Sequence, residues 1–108
     1  MQSNAQPIEV QNNETASRFE VRLDGQTAML TYQRRGDNLA LTHTEVPPAF
    51  EGRGVGSALA RAGLDYAREH GLTVTPACGF VASYVQRHPE YQDLLPTARR
   101  ATASREQK

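Results

Sequence analysis

Three of the eight glycines fall within the five residues from Gly52 to Gly56, and this cluster constrains the fold more than any other feature of the sequence. The residues before the cluster alternate between apolar and polar, as in a β-strand, and those after it repeat at helical spacing. Each glycine costs a helix start roughly 1 kcal/mol relative to alanine, and a plain connection needs only one. The cluster therefore predicts a strand-to-helix turn whose backbone closely approaches a ligand.

A turn of this kind is suited to binding an anion. The first N–H groups of a helix have no partner inside the helix, and they carry the positive end of its dipole. Backbone amides there can hold a pyrophosphate without a metal, and the Arg53 side chain can add a charged contact. These amides belong to Arg53, Gly54, Gly56 and Ser57. The alternative is that the glycines only permit a tight turn, and the residues favour anion binding over it.

Two common phosphate-binding motifs do not fit the cluster. A P-loop needs a lysine directly after its last glycine, and the only lysine of the chain is Lys108. The dinucleotide fingerprint G-x-G-x-x-G needs a glycine where this chain has Ser57. A chain of 108 residues is also too short for a doubly wound dinucleotide domain.

Alternation and helical spacing predict a mixed α+β fold. Tight turns at Asp24-Gly25 and Arg35–Asn38 join three strands into an antiparallel meander. A right-handed β-α-β crossover follows, which places the fourth strand parallel to the third, and a helix comes after it. The predicted elements are a strand that begins at Arg18, strands Thr27–Tyr32, Leu39–Val46 and Leu72–Pro76, and helices Arg53–His70 and Gly79–His88.

The alternation also predicts which side chains share a face of each strand. In the first strand, one face is expected to carry Phe19, Val21 and Leu23, and the polar face Arg18, Glu20, Arg22 and Asp24. In the third strand, one face is expected to carry Leu39, Leu41, His43 and Glu45, and the other Ala40, Thr42, Thr44 and Val46.

The composition fits a folded domain and excludes several classes of partner. Twelve basic residues balance twelve acidic ones, so no net charge favours nucleic acid or an anionic membrane. No apolar run approaches the roughly 20 residues of a membrane span, and the polar segment Met1–Val10 is not a secretory signal. Cys78 is the only cysteine, which suits a reducing cytoplasm. We expect a cytoplasmic protein with no nucleic-acid partner, no membrane partner and no metal site.

The folded domain is expected to span residues 15–96, without an internal repeat or linker. Residues 1–14 are rich in polar side chains and are expected to form a flexible tail, from which Ile8 and Val10 add to an edge strand. Residues 97–108 are expected to form a second flexible tail. The expected oligomeric state is a monomer or a weak homodimer.

Two blocks of the sequence resemble the GNAT superfamily of acyl-CoA N-acyltransferases, and most closely its short standalone members. The first block comprises His43–Pro47 and Glu51–Ser57, and the second comprises Pro76–Val81, Tyr84 and His88–Tyr91. The superfamily's cofactor motif is (Q/R)-x-x-G-x-(G/A). Gly54-Val55-Gly56 matches its glycine part, whereas Glu51 stands where glutamine or arginine is expected. The resemblance extends from Phe19 to Leu95.

The resemblance implies a minimal GNAT fold without the usual N-terminal helices, and binding of acetyl-CoA or coenzyme A. Because those helices normally wall the acceptor site, the site for a small-molecule or peptide amine is expected to be open or completed by a partner. By the same analogy, a backbone N–H near Thr44–Val46 polarises the thioester carbonyl. The residues assigned to the cofactor are Thr44, Val46, Glu51, Gly52, Arg53, Gly54, Val55, Gly56, Ser57, Cys78 and His88.

Acetyl transfer to an amine needs a base for the amine and a proton for the leaving thiolate. Glu45, which ends the central strand, is the first candidate for the base, and His43 can relay a proton. Cys78 can protonate the thiolate or carry the acetyl group as a nucleophile. Tyr84 is close in spacing to the superfamily's proton-donating tyrosine. Each candidate has a structural alternative. Glu45 can be a solvated carboxylate and His43 a hydrogen-bonded side chain. Cys78 can be a small buried thiol, and Tyr84 a ring packed in its helix. His88 is expected chiefly to cap its helix.

The sequence thus predicts direct transfer of acetyl from acetyl-CoA to a primary amine in a ternary complex. The alternative is a module that binds acyl-CoA without catalysis, which the departure at Glu51 and the missing N-terminal helices favour. A scaffold that binds no nucleotide is the third and least favoured hypothesis.

Overall fold

The computed structural model describes residues 8–96, which form one five-stranded sheet and two α-helices. The strands are β1 (Gln11–Asn13), β2 (Arg18–Leu23), β3 (Gln26–Arg35), β4 (Asn38–Glu45) and β5 (Thr73–Pro76). The helices are α1 (Val55–Glu69) and α2 (Gly79–Arg87), and 3-10 helices lie at Pro48–Phe50 and Pro89–Leu94. No helix within residues 8–96 has the length and apolar character that crossing a membrane requires.

The strand order is β1-β2-β3-β4-β5, with antiparallel pairing except between β4 and β5, which run parallel. This arrangement confirms the predicted mixed α+β fold, in which a meander is followed by a crossover through α1. The hairpin between β2 and β3 depends on Asp24 and Gly25. Their φ angles of 52° and 76° are the positive values that a tight two-residue turn requires.

The first strand corrects the predicted N-terminal tail. Residues 11–13 lie inside that tail, yet they pair with β2, where Gln11 lies opposite Glu20 and Asn13 opposite Arg18. Ile8 precedes the strand and packs, partly buried, against the core, as does Val10. Residues 1–7 and the second predicted tail, 97–108, lie outside the described residues.

The core lies between one face of the sheet and the two helices. Three leucines of the sheet are fully buried: Leu30, Leu39 and Leu41. The helices bury Val55, Leu59, Ala60, Gly63, Leu64 and Ala67 from α1 and Val81, Tyr84 and Val85 from α2. This packing fixes the start of each helix relative to the end of β4.

A β-bulge interrupts the pairing of β3 with β4. Tyr32 lies opposite Leu41 and Thr31 lies opposite His43, so that Thr42 is an extra residue on β4. Because side chains alternate along a regular strand, one extra residue exchanges the faces of all the residues that follow it.

The prediction that His43 and Glu45 share a face with the core leucines of β4 is therefore wrong. Both residues are exposed, and they lie on the face of the sheet opposite to the core. Thr44 instead lies opposite the fully buried Leu30, so it points to the side that the helices cover. The bulge delivers Thr44, and not its two neighbours, to the helix side of the sheet.

Glu20 lies on the polar side of β2, as predicted, but it is only 3% exposed. The Arg18 Nε and the Asn13 Nδ2 both donate to its Oε2, the latter at 3.1 Å, and Arg22 donates to its Oε1 at 3.3 Å. The hydrogen bonds from Arg18 and Asn13 lower the pKa of the Glu20 carboxyl and outweigh the effect of burial, which raises it. The ionised carboxylate therefore ties β1 to β2.

Glu20→Gln is expected to lower the free energy of unfolding at neutral pH by about 1 kcal/mol, because the arginines lose a charged acceptor. Folding lowers the pKa of Glu20 below 4.5, so the contribution is present above that value and is lost as the pH falls through the folded pKa. Urea unfolding followed by circular dichroism should show the difference between the two proteins shrinking in that acidic range. A difference independent of pH would contradict this account.

Candidate functional site

β4 continues past the end of β5, which opens a gap beside it. The last paired residues of the two strands are Leu41 and Pro76. The Cys78 amide then donates to the Leu41 carbonyl oxygen at 3.1 Å, and the chain turns into α2. Within residues 8–96, the remainder of β4, from Thr42 to Glu45, pairs with no strand on that side. The gap therefore lies between the end of β4 and the start of α2.

Between β4 and α1 the chain makes the turn that the glycine cluster predicts. Gly52 and Gly54 have φ angles of 79° and 75°, in the left-handed region that other residues rarely adopt. Gly54 is the N-cap of α1, and no side chain caps the helix, so its first amides remain available to a ligand. The Arg53 amide is not available, because it donates to the Phe50 carbonyl oxygen at 3.2 Å.

A cleft of about 370 Å³ lies between this turn, the end of β4 and the start of α2. Its walls are formed by Thr44, Val46, Phe50, Glu51, Gly52, Gly54, Val55, Gly56, Ser57 and Phe80. The cleft thus brings together eight of the residues that the resemblance assigns to a cofactor. The other three, Arg53, Cys78 and His88, do not belong to its walls.

Two wall residues, Phe50 and Phe80, are absent from the residues that the sequence analysis assigns to the cofactor. Phe50 is 1% exposed, whereas Phe80, in the first turn of α2, is 38% exposed. A Cβ atom on Gly56 would lie 2.9 Å from the Cζ of Phe80, so the ring rests directly on the glycine. Apolar residues in a helical pattern are normally assigned to the core. Only the contact between the two helix starts reveals that Phe80 faces the cleft.

Arg53 is turned away from the cleft walls and toward the β2–β3 hairpin. Its Nη1 lies 3.6 Å from the Asp24 Oδ2, and its guanidinium carbon lies 5.7 Å from the centre of the Phe50 ring. In this conformation Arg53 does not offer the predicted phosphate contact. The ion pair is largely exposed and contributes little stability by itself, but it connects the glycine turn to the hairpin.

Cys78 adjoins the cleft through Thr44. Its Sγ lies 3.3 Å from the Thr44 Oγ1, and the residue is the N-cap of α2. Burial raises the pKa of the Cys78 thiol, but hydrogen bonds from the Thr44 side chain and from the backbones of Val81 and Phe80 outweigh it and lower the pKa overall. A lowered pKa favours the thiolate, which is the nucleophilic form of a cysteine, and Cys78 is a free, partly buried cysteine.

The other predicted catalytic residues do not reach the cleft. Glu45 and His43 lie on the opposite face of the sheet because of the bulge at Thr42. Tyr84 is buried, and its ring stacks on His88 with 4.0 Å between the ring centres. These positions agree with the structural alternatives for Glu45 and Tyr84, a solvated carboxylate and a packed ring.

His88 belongs to a polar cluster at the junction of α1, α2 and the last 3-10 helix. Its Nδ1 lies 3.5 Å from the Glu90 Oε2, and its stacking partner Tyr84 interacts with Arg61 of α1 and raises the pKa of that guanidinium. The cluster lies outside the cleft walls. Among residues 8–96, no group of three histidine, cysteine, aspartate or glutamate side chains is arranged to hold a metal ion.

Known proteins share both the sequence and the fold. The Protein NATD1 of Gallus gallus is 38% identical over 91 residues, which cover 82% of this chain and 83% of that protein. The Protein NATD1 of Homo sapiens is also 38% identical over 91 residues, with 82% and 80% covered. The NMR solution structure of a GCN5-like protein from Staphylococcus aureus has a TM-score of 0.66 and 27% identity, and the match covers 82% of this chain and 87% of that one.

The sequence pattern of the family described as GCN5-related N-acetyl-transferase matches residues 18–94. This range begins at β2 and includes the glycine turn, Cys78 and Phe80. The match confirms the resemblance found in the two sequence blocks. The chain therefore belongs to the GCN5-related N-acetyltransferase (GNAT) family.

Proposed function

We propose that the cleft binds acetyl-CoA, with its diphosphate at the start of α1 and its thioester near Cys78, and that the protein transfers the acetyl group to an amine. The proposal depends on the continuity of one cleft from the uncapped start of α1 to Thr44, whose hydroxyl contacts the Cys78 thiol. Membership of the family supports acetyl transfer as the class of reaction. The proposed acceptor is the amine of a small molecule or a peptide.

The residues of the glycine turn fit a diphosphate. The three glycines of the turn present no side chain to a ligand, and the amides of Gly56 and Ser57 are donors at the positive end of the α1 dipole. Glu51 stands where the family motif has glutamine or arginine, and a carboxylate cannot donate a hydrogen bond to phosphate. The backbone, rather than a charged side chain, is therefore proposed to hold the diphosphate.

When bound, acetyl-CoA supplies an acetyl group in an activated thioester. Cys78 is the strongest nucleophile beside the cleft, and its lowered pKa increases the fraction of thiolate at neutral pH. The Cys78 thiolate is proposed to attack the thioester carbonyl, which breaks the bond between the acetyl group and coenzyme A and releases coenzyme A as a thiolate. The amine then attacks the acetyl group on Cys78, the bond to the Cys78 sulfur breaks, and the proton that the amine loses neutralises the coenzyme A thiolate.

This route differs from the direct transfer that the sequence predicts. Direct transfer requires a base beside the amine, and Glu45, the expected base, lies on the other face of the sheet. Glu51 is the only ionisable side chain in the cleft walls, and it belongs to the glycine turn. Because the amine must lose a proton in either route, the support for the acetyl-cysteine route is the contact of the Cys78 thiol with the cleft residue Thr44.

A second candidate function is binding of acyl-CoA without transfer. The positions of Glu45 and His43, away from the cleft, favour this candidate, because they leave the cleft without either of the expected proton carriers. It differs from the first proposal in predicting that Cys78 stays unmodified in the presence of acetyl-CoA.

Ser57→Glu is expected to weaken cofactor binding without harming the fold. A carboxylate in the first turn of α1 interacts favourably with the helix dipole, but it repels a diphosphate at the same amides, and we expect the affinity for coenzyme A to fall at least about tenfold. Calorimetric titration with coenzyme A and acetyl-CoA measures the loss, and thermal melting measures stability. Ser57→Ala is the matched control and should bind. A wild-type protein that binds neither ligand would overturn the proposal.

Incubation with acetyl-CoA is expected to add one acetyl group to the protein at Cys78. Intact-protein mass spectrometry followed by peptide mapping detects the label, and addition of a small primary amine should accelerate its loss. Cys78→Ala should remain unlabelled while it still binds coenzyme A. Unlabelled wild type with bound coenzyme A would favour the second candidate function.

Thr44→Val is expected to raise the pKa of the Cys78 thiol, because it removes the hydrogen bond that opposes burial. The rate of alkylation by iodoacetamide, measured against pH, should reach its midpoint at a higher pH, and at neutral pH should fall roughly three- to tenfold. Thr42→Val is the matched control, because Thr42 bonds to Thr31 and not to Cys78. Equal profiles for the two variants would show that Thr44 does not tune the thiol.

A further inference from the structure

We infer that Phe80 makes the cleft selective for the pantetheine arm of coenzyme A over a nucleotide alone, an inference that rests on the proposed function. Among residues 8–96, Phe80 is the one large apolar side chain that is substantially exposed, and it stands in the cleft wall. An exposed phenylalanine is unremarkable by itself. Its contact with Gly56 and its place in the cleft wall, two residues after Cys78, are what distinguish it.

Phe80 links the two ends of the proposed site. Its ring rests on Gly56, the second residue of α1, where the free amides of that helix lie. Phe80 also follows Cys78, the N-cap of α2, by two residues. A ligand that extends from the start of α1 to the Cys78 thiol therefore has to pass along the Phe80 ring.

The chemistry of the ring matches one part of coenzyme A. The pantetheine arm is an uncharged chain of methylene groups, geminal methyl groups and amides, and it can bury apolar surface against an aromatic ring. The diphosphate is polyanionic and gains nothing from an apolar wall. Phe80 should therefore contribute to binding the arm and leave binding of the diphosphate unchanged.

Gly56 is matched to Phe80. Unlike Gly52 and Gly54, Gly56 does not have a positive φ, so its backbone can accept alanine. The Phe80 ring is what excludes a side chain, since a Cβ would lie 2.9 Å from the Cζ. Gly56→Ala should push the partly exposed ring aside rather than unfold the protein, and alanine is the better helix former.

The test is a double-mutant cycle with two ligands. Wild type, Phe80→Ala, Gly56→Ala and the double variant are titrated with coenzyme A and with 3′-phosphoadenosine 5′-diphosphate, which keeps the diphosphate and lacks the arm. Phe80→Ala is expected to lower the affinity for coenzyme A about tenfold and to leave that for the nucleotide unchanged. Gly56→Ala should have a similar effect alone and almost none in the Phe80→Ala background.

Two controls separate binding from stability. Phe80→Leu keeps an apolar wall and should retain most of the affinity for coenzyme A, and Gln86→Ala, an exposed change elsewhere on α2, should alter neither ligand. Melting temperatures of all variants should stay close to that of the wild type, because Phe80 is 38% exposed.

Each contrary outcome has a distinct meaning. Unchanged affinity of Phe80→Ala for coenzyme A, or an equal loss for both ligands, would overturn the assignment of Phe80 to the arm. If Gly56→Ala in the Phe80→Ala background lowers the affinity for both ligands, the two residues are not coupled. Gly56 would then act on the diphosphate and not through the Phe80 ring. A wild type that binds coenzyme A no more tightly than it binds the nucleotide would also overturn the inference. A wild type that binds neither would overturn the proposed function, and the inference with it.

Discussion

The extra residue at Thr42 determines which side chains can belong to the site. With regular pairing, the alternation along β4 would present His43 and Glu45 to the helices and turn Thr44 outward. The bulge exchanges these faces, and Thr44 meets the Cys78 thiol at 3.3 Å. The contact of Thr44 with that thiol, which helps to lower its pKa, and the position of Glu45 outside the cleft both follow from one inserted residue.

The fold could be predicted because its signals are local. The Asp24-Gly25 turn, the alternation in β2 and the glycine cluster before α1 each act through the conformations of a few adjacent residues. An edge strand is expected from Ile8 and Val10, but β1 lies at Gln11–Asn13, where it pairs with β2 and Asn13 contacts the buried Glu20. The bulge was not predicted either, because threonine is an ordinary strand residue and only the pairing of β4 with β3 shows that Thr42 is the extra residue.

Part of the candidate site could be predicted from the sequence. The predicted residues differ from the missed ones in whether they act through the backbone or through the direction of a side chain. Residues that would act through the backbone, such as Gly54 and Gly56, were identified because a glycine marks the special backbone in the sequence itself; their binding of a cofactor stays a prediction. Residues that act through side-chain direction were not. Arg53 turns to Asp24, and Phe80 turns into the cleft, because of contacts between elements far apart in the chain.

An anion site made of backbone amides works only when the backbone is held in place before the ligand arrives. Two glycines at positive φ make the turn expensive to order, and Phe50, buried beneath the Arg53 guanidinium, anchors it. Arg53 covers the Phe50 ring and faces Asp24 of the β2–β3 hairpin, so its side chain belongs to the support of the turn. If the proposed cofactor binds there, the same arrangement accounts for Glu51 in place of the family's glutamine or arginine. Donors that belong to the main chain survive the loss of a side-chain donor, provided that the turn keeps its shape.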